Sequence, residues 1–257
     1  MEHTKKKRNI ILVIVIVLIL LMAAGAYHYF FIYRAPEAIT TRELQETNEA
    51  YDFLIEEAKS EAVACEHVVL INPSHGGSDV GAKITVNGRD ICESDIVLAI
   101  AQYVKELNTD ESVAVILTRN SDTNPTYEQR ASFAEVINPD LIIDIHVAME
   151  DNPDTTGVLS YYSSDYYDYR YTNEEWADCL ERNVVTQEKG VALGLVDLVN
   201  IEGNTELDYI KGWKVPAVAL SCGYLSSDIE GKYLSNREYQ QTVAYGILSA
   251  IEEAIGE

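Results

Sequence analysis

The chain holds few histidines, tryptophans and phenylalanines: five, two and four in 257 residues. It has no CxxC pair, no internal repeat and no low-complexity segment beyond a tyrosine-rich patch at 161–171. The four cysteines (Cys65, Cys92, Cys179, Cys222) stand singly, so disulfide pairing and buried free thiols are both open. Positive charge is short as well, with 19 Lys+Arg against 42 Asp+Glu. Residues 1–34 hold five of those basic residues and one acidic residue, leaving 14 against 41 beyond them, a net of −27. A domain so acidic does not bind nucleic acid or anionic lipid through its general field.

One long apolar run is present. Lys5, Lys6, Lys7 and Arg8 precede the 18 residues Ile10–Tyr27, which as helix span roughly 27 Å, close to a bilayer core. Tyr29, Phe30, Phe31, Ile32 and Tyr33 extend the run into an aromatic belt, with Arg34 after it. The charge bias predicts a cytoplasmic tail at 1–9, a single-pass membrane anchor at 10–33 and an extracytoplasmic remainder. The alternative is a removed signal peptide cut near Ala24-Gly25-Ala26, for which the run is too long. Residues 34–65 read as a linker and a stalk helix. Thr40 and Glu43 make a capping-box pattern, and Leu44, Tyr51, Leu54, Ile55 and Ala58 recur at helical spacing.

From residue 66 to 257 the pattern alternates. Strands are predicted at His67–Asn72, Ser112–Thr118, Leu141–Val147, Gly157–Tyr162 and Val215–Cys222. Helices are predicted at Asp95–Leu107 with Ser94 as its cap, Tyr127–Val136, Glu174–Glu188 and Asn236–Ile255. Such alternation predicts a single α/β domain with a largely parallel central sheet and helices on both faces.

The scarcity of histidine narrows the chemistry. Beyond the apolar run and its flank only His67, His75 and His146 remain, and His67 opens a strand. His75 follows the first strand, and His146 ends the third. Histidines at the carboxyl ends of central strands converge where α/β sheets place their sites, which makes a metal centre as plausible as two satisfied core residues. A catalytic zinc needs three protein ligands, and Glu93 at a helix entrance is the best third; a helix-dipole acid is its bland alternative. The pattern speaks against a serine-hydrolase elbow at Ser221: Ala219 replaces its first glycine, and no histidine follows His146. The tyrosines 166, 167, 169 and 171 read as a polar surface loop, with stacking on sugar rings as the alternative.

In order along the chain stand His75-Gly76-Gly77, Asp79-x-Gly81-Ala82, Glu93, Thr118-Arg119, Asp122, Arg130, Ile145-His146, Gly157 with Tyr161-Tyr162, and Pro216-Ala217-Val218 running to Cys222-Gly223-Tyr224-Leu225-Ser226. Over about residues 66–255 this resembles the zinc-dependent N-acetylmuramoyl-L-alanine amidases of bacterial cell walls. The resemblance implies zinc held by His75, Glu93 and His146, and cleavage of the lactyl–L-alanine amide of peptidoglycan. In the family pattern P-A-V-x-x-E-x-G the glutamate handles protons; here that position is Ser221, whose hydroxyl is no base near neutral pH. The family's G-H reads Ser74-His75, and its S-I-H-A-N reads Asp144-Ile145-His146-Val147-Ala148. Asp144 shares strand parity with His146 and is expected to orient a ligand histidine. Two functions are expected from this set: an impaired zinc amidohydrolase, or a pseudoenzyme that binds peptidoglycan or a partner wall enzyme. Glu150, Glu202 and Glu206 are the other acids considered as a replacement base.

Overall fold

The computed structural model describes residues 41–165, 171–201 and 207–256. The predicted anchor at 10–33, the Thr40 cap, Tyr166, Tyr167, Tyr169, Glu202 and Glu206 lie outside these. Among the described residues no helix is long and apolar enough to cross a membrane. The described residues divide after Ala50, and those from Tyr51 onward form one compact unit.

Six strands form one sheet: β1 (His67–Pro73), β4 (Val113–Leu117), β5 (Leu141–Ala148), β6 (Val158–Tyr162), β7 (Ala192–Asp197) and β8 (Ala217–Tyr224), in the order β4-β1-β5-β8-β6-β7. The first four in that order run parallel; β6 lies antiparallel to β8, and β7 parallel to β6. The sheet is therefore largely parallel, with a reversed pair at one edge. β2 (Lys83–Val86) and β3 (Arg89–Cys92) make a separate hairpin. The helices are α1 (Thr41–Ala64), α2 (Glu93–Leu107), α3 (Tyr127–Ile137), α4 (Asn173–Glu188) and α5 (Arg237–Gly256).

Every residue of β4 and β8 is buried, because helices cover both sheet faces. Val69, Ile71, Ile143 and Ile145 face a core shared with α2, α4 and α5. Val68, Leu70 and Ile142 face the second core, against α3 and Ala58 of α1, with Leu54 and Ile55 packed alongside. From Tyr51 onward, then, α1 lies on the domain as its apolar spacing predicts.

Ser94 is not the cap of α2. The helix starts two residues before the predicted Asp95, at Glu93, and its N-cap is Cys92, with no side-chain bond. Backbone contacts replace the cap: Glu93 N–H donates to Ala82 O at 2.8 Å and Ser94 N–H to Val80 O at 3.2 Å. The hairpin before it was foreshadowed by Asn87-Gly88, both at positive φ (52° and 76°), the pair that two-residue hairpin turns favour. All four cysteines are free thiols, two of them (Cys179 and Cys222) buried.

Behind β8, at the end of α4, Glu188 keeps a fully buried Oε1 with no hydrogen-bond partner. Burial, helped by the nearby Glu230 charge, pushes its carboxyl up to about 8 despite a bond from Tyr239. A folded-state value above the unfolded one favours the fold at low pH, and that contribution is lost as pH rises from about 4.5 through 8. Glu188→Gln, which stays neutral, is expected to stabilise the protein above pH 8 by on the order of a kcal/mol or more and to change little at pH 5. Thermal melts of both proteins at the two pH values check this.

Candidate metal centre

The first strand sets the position of His75. After Pro73 the chain turns sharply, and His75 itself takes a left-handed φ of 58°, an unfavourable conformation for a side-chain-bearing residue. Two buried arginines hold the turn. Arg119 Nε donates to Pro73 O at 2.9 Å and its Nη2 to Ser74 O at 3.0 Å. Arg130 donates from Nη2 to His75 O at 2.9 Å and from Nη1 to Pro73 O at 2.9 Å. Burial pulls both guanidinium groups down from their ordinary values, that of Arg119 to about 10. Their cost is offset by the carbonyls they satisfy. Gly76 follows because nothing larger fits: a Cβ there would lie 2.0 Å from Thr123 O.

His75, Glu93 and His146 converge, with ligand atoms all within 4.8 Å of one another. His75 Nε2 lies 3.3 Å from Glu93 Oε2, and His146 Nδ1 lies 3.1 Å from Glu93 Oε1. Bonds of about 2.0–2.1 Å in a tetrahedron put ligand atoms roughly 3.3 Å apart, so the spacing suits zinc. Two imidazoles and one carboxylate leave a fourth position open, as in catalytic sites. Backbone amides aim the carboxylate: Ala82 N–H donates to Oε2 at 2.8 Å and Val147 N–H to Oε1 at 3.1 Å.

Each histidine has its remaining nitrogen engaged by an aspartate. His75 Nδ1 is 2.9 Å from Asp79 Oδ2. His146 Nε2 is 3.1 Å from Asp144 Oδ2 and 2.8 Å from Ser74 Oγ. Carboxylates behind ligand histidines fix the tautomer and ring orientation. The expected place of Asp144 beside His146 is thus observed. Asp79 is an additional partner that its strand-end context did not single out.

Electrostatics agree with a cation site. Burial pushes the Glu93 carboxyl up, but bonds from His146 and His75 outweigh it and hold the group well below the usual carboxylate range. Burial pulls His146 down, and the charge and bond of Asp144 with those of Glu93 more than reverse it, to about 10. His75 moves up too, its burial outweighed by bonds to Glu93 and Asp79.

Ser221 faces His146 directly across the β5–β8 pairing. It is 2% exposed, and its hydroxyl makes only a 3.4 Å contact with Gly223 O. With His75, Gly81, Glu93, His146 and Tyr161 it lines a cavity of about 490 Å³. A second cavity of about 250 Å³ shares the two histidines and is walled by Asn72, Ser74, Arg130 and Tyr209. Glu150 does not line the first cavity; it is exposed, accepting from Thr155 Oγ1 at 3.1 Å.

Gly81 sits where a Cβ would lie 2.6 Å from Glu93 Oε2 and 2.7 Å from His75 Cδ2, at a φ of 64°. Gly81→Ala is expected to displace both side chains and weaken zinc binding by about 10–100-fold, as loss of an orienting contact does. Titration against a chelating dye measures it; unchanged affinity would show that the two side chains are not held by this contact.

A family model described as N-acetylmuramoyl-L-alanine amidase matches residues 69–253. The uncharacterized protein YqiI of Bacillus subtilis is 26% identical over 186 residues, 72% of this chain and 82% of that protein. The probable cell wall amidase LytH of Staphylococcus aureus is 25% identical over 186 residues, again 72% of this chain but only 57% of LytH. Among solved structures, an N-acetylmuramoyl-L-alanine amidase from Clostridium difficile 630 superposes with a TM-score of 0.64 at 25% identity, covering 74% of this chain and 97% of that one. The catalytic domain of CwlV from Bacillus (Paenibacillus) polymyxa var. colistinus gives 0.64 at 26%, covering 74% and 98%.

Proposed function

The chain belongs to the N-acetylmuramoyl-L-alanine amidase family, and from that premise we propose that it is a zinc amidohydrolase-type domain acting on peptidoglycan at the amide between muramic acid and L-alanine. The observation that carries this reading is the convergence of His75, Glu93 and His146 within 4.8 Å at the rim of a cavity. These three would hold the ion, with Asp79 and Asp144 orienting the histidines. When bound, zinc supplies carbonyl polarisation and an acidified water. The cavity wall formed by Tyr161, Met149 and Leu207 offers apolar and aromatic surface to the substrate.

Proton handling is where this chain is weak. The family's glutamate position is Ser221, and a hydroxyl cannot accept a proton near neutral pH. Among the described residues, the carboxylates lining the main cavity, Glu93 and Asp79, are both committed to the histidines. Hydrolysis is therefore slow in this reading. The same observation favours a second reading, a domain that binds peptidoglycan or regulates a partner wall enzyme without cutting.

The proposed layout is a cytoplasmic tail at 1–9, an anchor at 10–33, a linker and stalk at 34–65 and the amidase domain at 66–257 outside the membrane. Purified full-length protein incubated with peptidoglycan tests the activity, because amide cleavage exposes one new L-alanine amino group per cut. Amino-group release that zinc supports and a chelator stops is the expected result. Release of reducing sugar instead would assign a different bond.

A further inference from the structure

Two positions where the chain departs from the family pattern, Ser74 and Asp144, lie 70 residues apart and touch: Ser74 Oγ–H donates to Asp144 Oδ1 at 2.7 Å. Both also meet the same nitrogen, Nε2 of His146, at 2.8 and 3.1 Å. Asp144 is fully buried. Its Oδ1 takes a second bond from Asn72 Nδ2 at 2.6 Å, and its Oδ2 takes the Tyr209 hydroxyl. Asn72 Oδ1 in turn accepts from Arg130 and Thr118, so a guanidinium stands behind the carboxylate.

A buried carboxylate is tolerated only where donors occupy its lone pairs. Neither changed residue serves this role alone. Glycine at 74 would delete one donor to Asp144, and serine at 144 would orphan the buried donors of Asn72, Ser74 and Tyr209. The third donor comes from elsewhere in the chain. Tyr209, in the 3₁₀ turn Asp208–Gly212, is stacked on Tyr127 at 4.7 Å between centroids and meets Trp213 edge-on at 5.6 Å. Its ring is held, so its hydroxyl arrives preoriented.

We infer that Ser74, Asp144 and Tyr209 act as one coupled positioning unit that clasps the Nε2 side of His146 and thereby reserves Nδ1 for the metal. The hydroxyl of Ser74 is spent on Asp144, which leaves its lone pairs for the Nε2–H of His146. When the ring is neutral, that puts its one proton on Nε2 and the free lone pair on Nδ1, the nitrogen that faces Glu93. The unit rests on the zinc reading above and deepens it by making two sequence departures a single change.

The test measures zinc dissociation constants of the full-length protein by competition with a chelating dye, for the wild type, Ser74→Gly, Asp144→Ser, Tyr209→Phe and the two doubles that contain Asp144→Ser. Asp144→Ser is expected to weaken zinc about 10–100-fold, the usual cost of losing an orienting partner. Ser74→Gly and Tyr209→Phe are each expected to weaken it several-fold alone and not at all on top of Asp144→Ser, because the acceptor they serve is gone. Where Asp144→Ser fails to fold, Asp144→Ala, which also removes the acceptor, carries the same comparison. A second readout is the coupling of bound ¹¹³Cd to ¹⁵N-labelled imidazole: to Nδ1 of His146 in the wild type, and no longer to Nδ1 alone in Asp144→Ser. Additive effects in the doubles overturn the inference, as does lowered stability with unchanged affinity and unchanged Nδ1 bonding. A wild-type chain that takes up neither ion overturns the zinc reading itself, and the inference with it.

Discussion

Ser221→Glu is expected to raise peptidoglycan hydrolysis by about a hundred- to ten-thousand-fold, the range that a positioned acid–base group contributes. The position is favourable for three reasons. Ser221 pairs with His146 across β5 and β8, so a longer side chain there points along the metal site. Its present hydroxyl makes only a 3.4 Å contact, so little bonding is lost. And the cavity of about 490 Å³ that it lines gives the carboxylate room. The change adds volume at a site 2% exposed, which costs about 1–3 kcal/mol if neighbours must shift. Ser221→Gln has the same shape and no basicity, so it separates crowding from chemistry. Gain with Glu, none with Gln, and loss on adding His146→Ala is the expected pattern, read as amino-group release from peptidoglycan. Vigorous native activity that Ser221→Glu leaves unimproved would send the search for a base to other acids of the chain.

His146→Ala is expected to weaken zinc by well over a hundredfold, beyond the roughly 10–100-fold of an orienting partner, since a ligand atom itself is removed. Metal analysis after dialysis against a chelating dye measures this, and near-native zinc content in His146→Ala would eliminate the three-ligand site. The same centre predicts a pH signature. In metal-free protein His146 is raised to about 10 and His75 also moves up. Near neutral pH the His146 ring is therefore charged, and zinc must displace its proton, so the affinity should climb with pH. A histidine raised above its unfolded value of about 6.5 stabilises the fold below that pH and loses the contribution as pH rises toward its folded value. The melting temperature of chelator-treated protein should therefore fall between pH 6.5 and 10 more steeply than that of zinc-loaded protein. Parallel curves for the two forms would count against zinc at these histidines.

Several elements were legible because their cause is local. Val68–Ile71 and Val218–Leu220 are apolar on both faces, and a strand covered on both sides reads that way. The helix at Tyr127–Ile137 carries its own capping box from Thr126 and Gln129. Other features were misread or missed. Ser94 has the composition of a cap, but the amides it would have satisfied are taken by Ala82 O and Val80 O from a neighbouring loop. The Asn87-Gly88 turn was a usable signal for the hairpin, whereas β7, exposed or half-buried along its length at the sheet edge, leaves only a faint pattern. Asp79 as the partner of His75 and Tyr209 as the partner of Asp144 depend on contacts that spacing does not encode.

By itself the sequence determined the alternation of strands and helices, the family pattern, the candidacy of His75, Glu93 and His146, and the serine at 221 where the family pattern leads one to expect a glutamate. These are written in hydrophobic period and residue order, which survive without coordinates. Only the tertiary structure decided that β6 and β7 reverse beyond β8, that Ser221 stands opposite His146, and which nitrogen of each histidine remains for a metal. It alone also joined Ser74 to Asp144. Strand register and the pairing of buried donors with acceptors are settled by packing between segments distant in the chain, where each polar group must find a partner before it can be buried.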